Sequence, residues 1–208
     1  MRLSVSILNS KDKINMIKTL NNTKISYIHI DVMDGLFVSQ KSLPSNEIIK
    51  LSPFSSKPLD IHLMVENPMY YIERIKELPN IDNITIHLEI NKDIKNILNK
   101  IKEYGFKRSL AIKPNTDINL LVPYLDIIDR ILIMTVEPGL GGQPFLENSP
   151  NRIKEIKKLI KDKNIELEVD GGINNQTINK VKDVDISVVG SYITTSDNPD
   201  QRINDLLV

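Results

Sequence analysis

Eight times along this chain of 208 residues, a short apolar run gives way to a segment with helical spacing. The strand-like runs cover residues 2–8, 27–31, 59–64, 83–87, 108–112, 127–134, 165–170 and 185–190. Helical segments follow at about 12–20, 45–51, 68–78, 92–104, 118–124, 152–161, 176–181 and 199–206. In 92–104, Ile94, Ile97, Leu98 and Ile101 form one stripe, and Gly105 ends the helix. Pro68 stands in a first turn, where its missing N–H costs nothing, and Ser45 fits as a cap. Strands alternating with helices argue for a parallel β/α architecture. Eight repeats point to the closed (β/α)8 TIM barrel, near that fold's lower size limit of about 200 residues. An open doubly wound sheet is the rival, weakened by the lack of a Gly-rich dinucleotide fingerprint. No break in composition is long enough for a linker, so residues 1–208 are expected to form a single barrel domain.

Barrels gather their reactive groups at the carboxyl ends of the strands. In Tyr27-Ile28-His29-Ile30-Asp31-Val32-Met33-Asp34-Gly35, alternation puts His29 and Asp31 on one face and Ile28, Ile30 and Val32 on the other. His62 ends the third strand, Asp170 ends the seventh, and all three histidines, His87 included, occupy strand ends. A lone strand histidine is ordinarily a packing residue, but three of three, two beside aspartates, favour a site. Two imidazoles and two carboxylates suit one divalent ion such as Zn²⁺, Fe²⁺, Mn²⁺ or Co²⁺, and not Ca²⁺. A carboxylate at a buried strand end must be paired, protonated or metal-bound. Asp31 and Asp170 are therefore the candidates for proton transfer, against the plainer reading of two structural ion pairs. Asp34, before Gly35, suits a turn in which its side chain bonds its own backbone. Asp60 shares a face with His62 but lies deeper, which suits a supporting role.

Three glycine sites each follow a strand and precede a helix: Gly139-Leu140-Gly141-Gly142, Gly171-Gly172 and Gly190-Ser191. Backbone N–H groups in such loops bind phosphate without a basic side chain. Lys113, past the fifth strand, raises a Schiff-base alternative, although Pro114 beside it favours an exposed turn. Met33, Met64 and Met134 lie at or next to strand ends and suit either packing or a thioether cover over a reactive centre.

Composition narrows the function classes further. The 27 basic and 27 acidic residues cancel, which gives no electrostatic footprint for nucleic acid or an anionic membrane. Absence of cysteine removes disulfides and thiolate chemistry. No run reaches the roughly 18 apolar residues of a membrane span, and the N-terminus suits a first strand better than a signal peptide. A cytoplasmic protein is the expectation.

The segments Ser4-Val5-Ser6-Ile7-Leu8, His29-Ile30-Asp31-Val32-Met33-Asp34-Gly35, Asp60-Ile61-His62-Leu63-Met64-Val65, His87-Leu88-Glu89, Ile112-Lys113-Pro114, Met134 to Phe145, Val169-Asp170-Gly171-Gly172-Ile173 and Val189-Gly190-Ser191 come in the order found in one family. In these the chain resembles ribulose-phosphate 3-epimerase. The resemblance implies a barrel that interconverts ribulose 5-phosphate and xylulose 5-phosphate in the pentose phosphate pathway. It assigns His29, Asp31, His62 and Asp170 to a catalytic divalent metal, with Asp31 and Asp170 also the acid/base pair on opposite faces of the substrate. It assigns Ser6 and His62 to the sugar, and Gly139, Leu140, Gly141, Gly142, Gly171, Gly172, Gly190 and Ser191 to the phosphate end. Met33, Met64 and Met134 would line the space around an enediolate intermediate. It also implies a homo-oligomer, a dimer or hexamer. The chain departs from the family at 9–12, at Ser39-Gln40 and at Leu140, where Phe is usual. Alternatives are the relative acting on D-allulose 6-phosphate, an aldolase using Lys113, and a non-catalytic sugar-phosphate-binding barrel.

Overall fold

A computed structural model describes residues 1–207. Eight parallel strands close in chain order: β1 (Arg2–Ser6), β2 (Tyr27–Met33), β3 (Leu59–Met64), β4 (Ile81–His87), β5 (Lys107–Ile112), β6 (Arg130–Met134), β7 (Glu166–Asp170) and β8 (Ile186–Val189). β8 returns to pair with β1, so the sheet has no free edge. The helices are α1 (Lys13–Asn21), α2 (Ser45–Leu51), α3 (Pro68–Ile75), α4 (Ile94–Glu103), α5 (Ser149–Leu159), α6 (Ser191–Thr194) and α7 (Pro199–Leu206). This is the single-domain (β/α)8 barrel expected from the eightfold alternation.

Several boundaries differ from the sequence reading for local reasons. β2 runs on to Met33 because β3 pairs with it as far as Met33 opposite Met64. β1 stops at Ser6 and β6 starts only at Arg130. α5 begins at Ser149, three residues early, with Pro150 in its first turn. The expected helices after β5 and β7 are 3₁₀ turns, Ile118–Tyr124 and Ile178–Val181, and the first contains Pro123. The short α6 after Gly190 has no counterpart in the sequence pattern.

The strands' two faces pack differently. Outward residues such as Leu3, Ile28, Ile30, Ile61, Leu63, Ile84 and Val169 join the helices in one aliphatic layer. Ile94, Ile97, Leu98 and Ile101 of α4 are all buried there, as their spacing requires. Each such side chain contributes roughly 1.5–3 kcal/mol by leaving water. Asp12 and Asp93 cap α1 and α4 by accepting the N–H groups of Asn15 and Asn96.

The lumen is largely polar. Arg130 is fully buried inside it, 3.3 Å from Asp60 and 3.1 Å from both Glu168 and Glu166. Ser4 donates to Asp60 Oδ2 and Asn83 to Asp60 Oδ1, each at 2.8 Å. Burial and the neighbouring Asp60 carboxylate push Glu168 up to about 8, so it carries a proton at neutral pH and relieves the crowding of acids. Above this layer a small apolar group, Ala111, Leu132, Met134, Val136 and Val188, fills the side of the lumen across from His29 and His62.

Removing the buried Arg130 guanidinium strips the wholly buried Asp60 and Glu168 of their ion-pair partner. Arg130→Met should lower stability by about 3–5 kcal/mol in urea denaturation, whereas a loss below about 1 kcal/mol would show the layer to be energetically idle.

Candidate active site

Strand register brings side chains of β2, β3 and β7 together at the carboxyl end of the lumen. Ser6 lies opposite His29, Asp31 opposite His62, and Met134 opposite Asp170. His29 Nε2 is 3.4 Å from Asp31 Oδ1 and 3.9 Å from Asp170 Oδ2. His62 Nδ1 is 3.4 Å from Asp31 Oδ1 and 3.5 Å from Asp170 Oδ2. Both imidazoles are wholly buried, Asp31 almost so, and Asp170 opens more to the cavity.

Each imidazole has one nitrogen committed and one free. His29 Nδ1 is 2.8 Å from Asp60 Oδ2, and His62 Nε2 is 2.9 Å from His87 Nε2. The other two nitrogens, His29 Nε2 and His62 Nδ1, are buried without a hydrogen-bond partner among the described residues, and they are the pair aimed at the two aspartates. Orphaned buried polar atoms call for an explanation. Separations of 3.4–3.9 Å are those of neighbouring ligands around one ion at about 2.1 Å, and two imidazoles with two carboxylates suit a borderline divalent metal. The residues present thus fit such an ion, and the cluster could hold one.

Electrostatics tie the four together. Burial alone would raise Asp31, but His29 and His62 outweigh it and hold the carboxyl well below its ordinary range. Burial likewise lowers His29, yet Asp31 and Asp60 hold it well above its ordinary value. His62 is raised in the same way, by Asp170 and Asp31 against the pull of burial. Ser6 Oγ donates to Asp31 Oδ2 at 2.6 Å, which fixes the carboxylate plane.

A cavity opens above this floor. Its wall includes Ser6, Asp31, Met33, Met64, Met134 and Asp170, together with Gly139, Leu140, Gly141, Gly142, Gly171, Gly172, Gly190 and Ser191. The residues that the resemblance assigns to sugar, phosphate and proton transfer line this cavity, with His29 and His62 in the floor beneath. Two glycines are required by geometry. At Gly171 (φ +121°) an added Cβ would lie 2.4 Å from Val136 Cγ2, and at Gly172 (φ +68°) 2.5 Å from the backbone N of Phe145. Thr135 and Thr177 pin this turn by donating to the carbonyls of Gly171 and Gly172 at 2.6 and 2.9 Å. Gln143 folds its loop by donating to the carbonyls of Glu137 and Leu140. Asp34 makes the turn expected of it, accepting from Leu36 and Phe37 at 2.8 and 3.0 Å. Lys113 is not part of the cavity wall, and its Nζ sits 4.0 Å over the Phe37 ring.

The sequence places His87 at a strand end but assigns no role to it or to Glu89, and it gives none to the Arg130–Glu168 layer or to the wall residues Asn9, Gln143 and Asn174. The first two leave a trace: His87 and Glu89, and Glu168 and Asp170, are spaced by two, so alternation puts each pair on one side. Wall residues in loops leave none, because loop side chains have no period.

A closed parallel barrel with paired aspartates, metal-type imidazoles and a glycine-walled cavity at its carboxyl end belongs to the class of barrel enzymes that do their chemistry at that end. A family model described as the Ribulose-phosphate 3 epimerase family matches residues 2–194. The ribulose-phosphate 3-epimerase of Bacillus subtilis (strain 168) is 35% identical over 166 residues, 78% of this chain and 76% of that protein. That of Helicobacter pylori (strain J99) is 34% identical over 201 residues, 94% of this chain and 92% of that one. The chain belongs to the ribulose-phosphate 3-epimerase family and is an enzyme of that epimerase class. Solved structures extend the likeness in fold alone. Tryptophan synthase of Mycobacterium tuberculosis has TM-score 0.73 at 12% identity, covering 99% of this chain and 90% of that one. The 3-hexulose-6-phosphate synthase of Salmonella typhimurium has TM-score 0.65 at 16%, covering 99% and 96%. Among the described residues, no helix is long and apolar enough to cross a membrane.

Glu89 gives this end of the barrel an acid-sensitive contact. Burial would raise its carboxyl, but His87, Thr116 and the Lys113 N–H hold it down at about 2. A depressed carboxyl stabilises fully above its ordinary value of 4.5 and loses that contribution as pH falls toward about 2. Denaturation of the wild type and Glu89→Gln over about pH 2 to 6 should show the wild type's advantage shrinking on acidification. An advantage constant across that range would contradict the assignment.

Proposed function

We propose that this enzyme inverts C3 of D-ribulose 5-phosphate to give D-xylulose 5-phosphate, with Asp31 and Asp170 as the acid and base. The observation that carries the reading is the pair of carboxylates at the cavity floor, converging on two unpartnered imidazole nitrogens. Family membership and the curated relatives' names support the substrate.

Inversion next to a ketone needs a proton removed from one face of the carbon and another delivered to the opposite face. One carboxylate cannot reach both faces, so two are required. In the forward direction one aspartate takes the C3 proton, leaving an enediolate, and the other returns a proton from the far side. The reverse reaction exchanges their roles. Asp31, nearly buried and held low by His29 and His62, is kept ionised, and Ser6 fixes its orientation. Asp170 is the more exposed of the two and is the better placed to exchange its proton with solvent.

His29, Asp31, His62 and Asp170 would hold one divalent ion of the Zn²⁺, Fe²⁺, Mn²⁺ or Co²⁺ type, which when bound supplies positive charge for the developing oxyanion. Around the reacting carbon, Met33, Met64 and Met134 present an apolar surface that excludes water. The glycine turns at 139–142, 171–172 and 190 with Ser191 offer backbone N–H groups to the phosphate, anchoring the substrate remotely from the carbon that reacts. Lys113 lies outside the wall, which leaves a Schiff-base route without its nucleophile. By the same family likeness, residues 1–208 act as one catalytic barrel of a cytoplasmic homo-oligomer in the pentose phosphate pathway.

Asparagine keeps a ligating oxygen but cannot carry a proton. Asp31→Asn and Asp170→Asn should each lower kcat on the order of 10²–10⁴-fold with the fold intact by circular dichroism. Near-normal turnover in either variant would overturn the assignment.

A further inference from the structure

His62 is the third residue of a hydrogen-bonded series that starts well outside the cavity. Glu89, just past β4, uses Oε1 to accept the Lys113 N–H at 2.7 Å and the Thr116 hydroxyl at 2.6 Å. Its other oxygen, Oε2, is 3.1 Å from His87 Nδ1. His87 Nε2 is 2.9 Å from His62 Nε2, and the two rings stack at 5.0 Å and 24°. Beyond His62 lie Asp31 and Asp170. Phe37 covers His87 at 4.7 Å, and both histidines are wholly buried.

With His62 and His87 both neutral, this arrangement leaves one consistent order for the protons. An ionised carboxylate only accepts, so Glu89 requires a proton on His87 Nδ1. A buried neutral imidazole protonated there has its lone pair on Nε2. His62 can then meet His87 only by donating from its own Nε2, which leaves Nδ1 as the lone pair facing the two aspartates. At His29 the order runs the other way: Nδ1–H donates to Asp60 Oδ2 and Nε2 is left free.

We propose that His87 and Glu89 are positioning residues which, through this series, place the proton of His62 on Nε2 and leave Nδ1 as a ligand for a divalent cation. The inference rests on the metal reading of the four-residue cluster given above. It explains why the third histidine of the chain, remote from both aspartates, is buried against the second. It also extends the usual pairing of a ligating imidazole with a carboxylate by one relay.

Glu89→Gln tests the order directly. The Lys113 N–H and the Thr116 hydroxyl retain the amide oxygen, so the amide NH₂ turns toward His87 and donates to Nδ1. The proton of His87 then moves to Nε2, and that of His62 to Nδ1, where it points into the cluster. His87→Leu removes the acceptor altogether, whereas His87→Gln keeps a carbonyl oxygen for His62 Nε2. Two readouts are used, neither of them turnover: the Zn²⁺ dissociation constant by competition with a chromophoric chelator, and imidazole proton positions by long-range ¹H–¹⁵N correlation. The spectra are taken with Zn²⁺ and after chelation, at a pH where the imidazoles are neutral.

Glu89→Gln and His87→Leu should each weaken Zn²⁺ binding about 10–100-fold, with His87→Gln recovering most of the loss. Wild-type spectra should place protons on His62 Nε2 and His87 Nδ1, and Glu89→Gln should reverse both. Should His87→Leu fail to fold, Glu89→Gln carries the test, because its side chain is partly exposed and of unchanged size. Unchanged Zn²⁺ affinity in Glu89→Gln, or a wild-type His62 protonated on Nδ1, overturns the proposal. A wild type that shows the expected proton order but binds no Zn²⁺ supports the relay and overturns the metal reading instead.

Discussion

Everything at the working end of this barrel depends on strand register. β1, β2, β3 and β7 deliver Ser6, His29, Asp31, His62 and Asp170 to one cluster only because each strand is held in phase with its neighbour. A slip of one residue would turn a lumen-facing side chain outward into the aliphatic layer, exchanging His62 for Ile61 or Leu63. The large aliphatic layer between strands and helices makes that slip prohibitive, since it would expose apolar side chains and bury charged ones without partners. Stability on the outside of the sheet thus secures chemistry on the inside.

A polar lumen also has to be held together. Asp60 is its hub, taking Ser4, Asn83 and Arg130 from below and His29 from above. The buried Arg130 layer is therefore continuous with the cluster, and the orientation of His29 follows from the charge balance beneath it. His62 is oriented laterally, by His87 at the end of the neighbouring strand and Glu89 just past it. The two imidazoles reach one point from different supports, each with its free nitrogen inward.

The sequence announced the fold through period: eight apolar runs alternating with helical stripes, of which 94–101 is the clearest. It announced the floor of the site through residue type and placement, since three of three histidines at strand ends, two of them beside aspartates, favour a site over packing. Short 3₁₀ turns such as Ile178–Val181 escaped because four residues carry no period to distinguish one helix from another. Arg130 escaped because a strand extended back to Ile127 hides the point at which alternation begins. Asn9 and Asn174 in the cavity wall escaped because loop side chains are placed by tertiary contacts alone. Family likeness supplied the substrate, which neither period nor residue type contains.

The central claim is that two aspartates at the cavity floor exchange protons with the carbon next to the ketone. The measurement that tests it most directly is conversion of ribulose 5-phosphate in heavy water, in protein as prepared, after a strong chelator, and after metal is restored. Xylulose 5-phosphate carrying solvent deuterium at C3, lost on chelation and recovered with metal, is the expected result. Product that keeps its original C3 hydrogen, or turnover undiminished by chelation, would contradict the account.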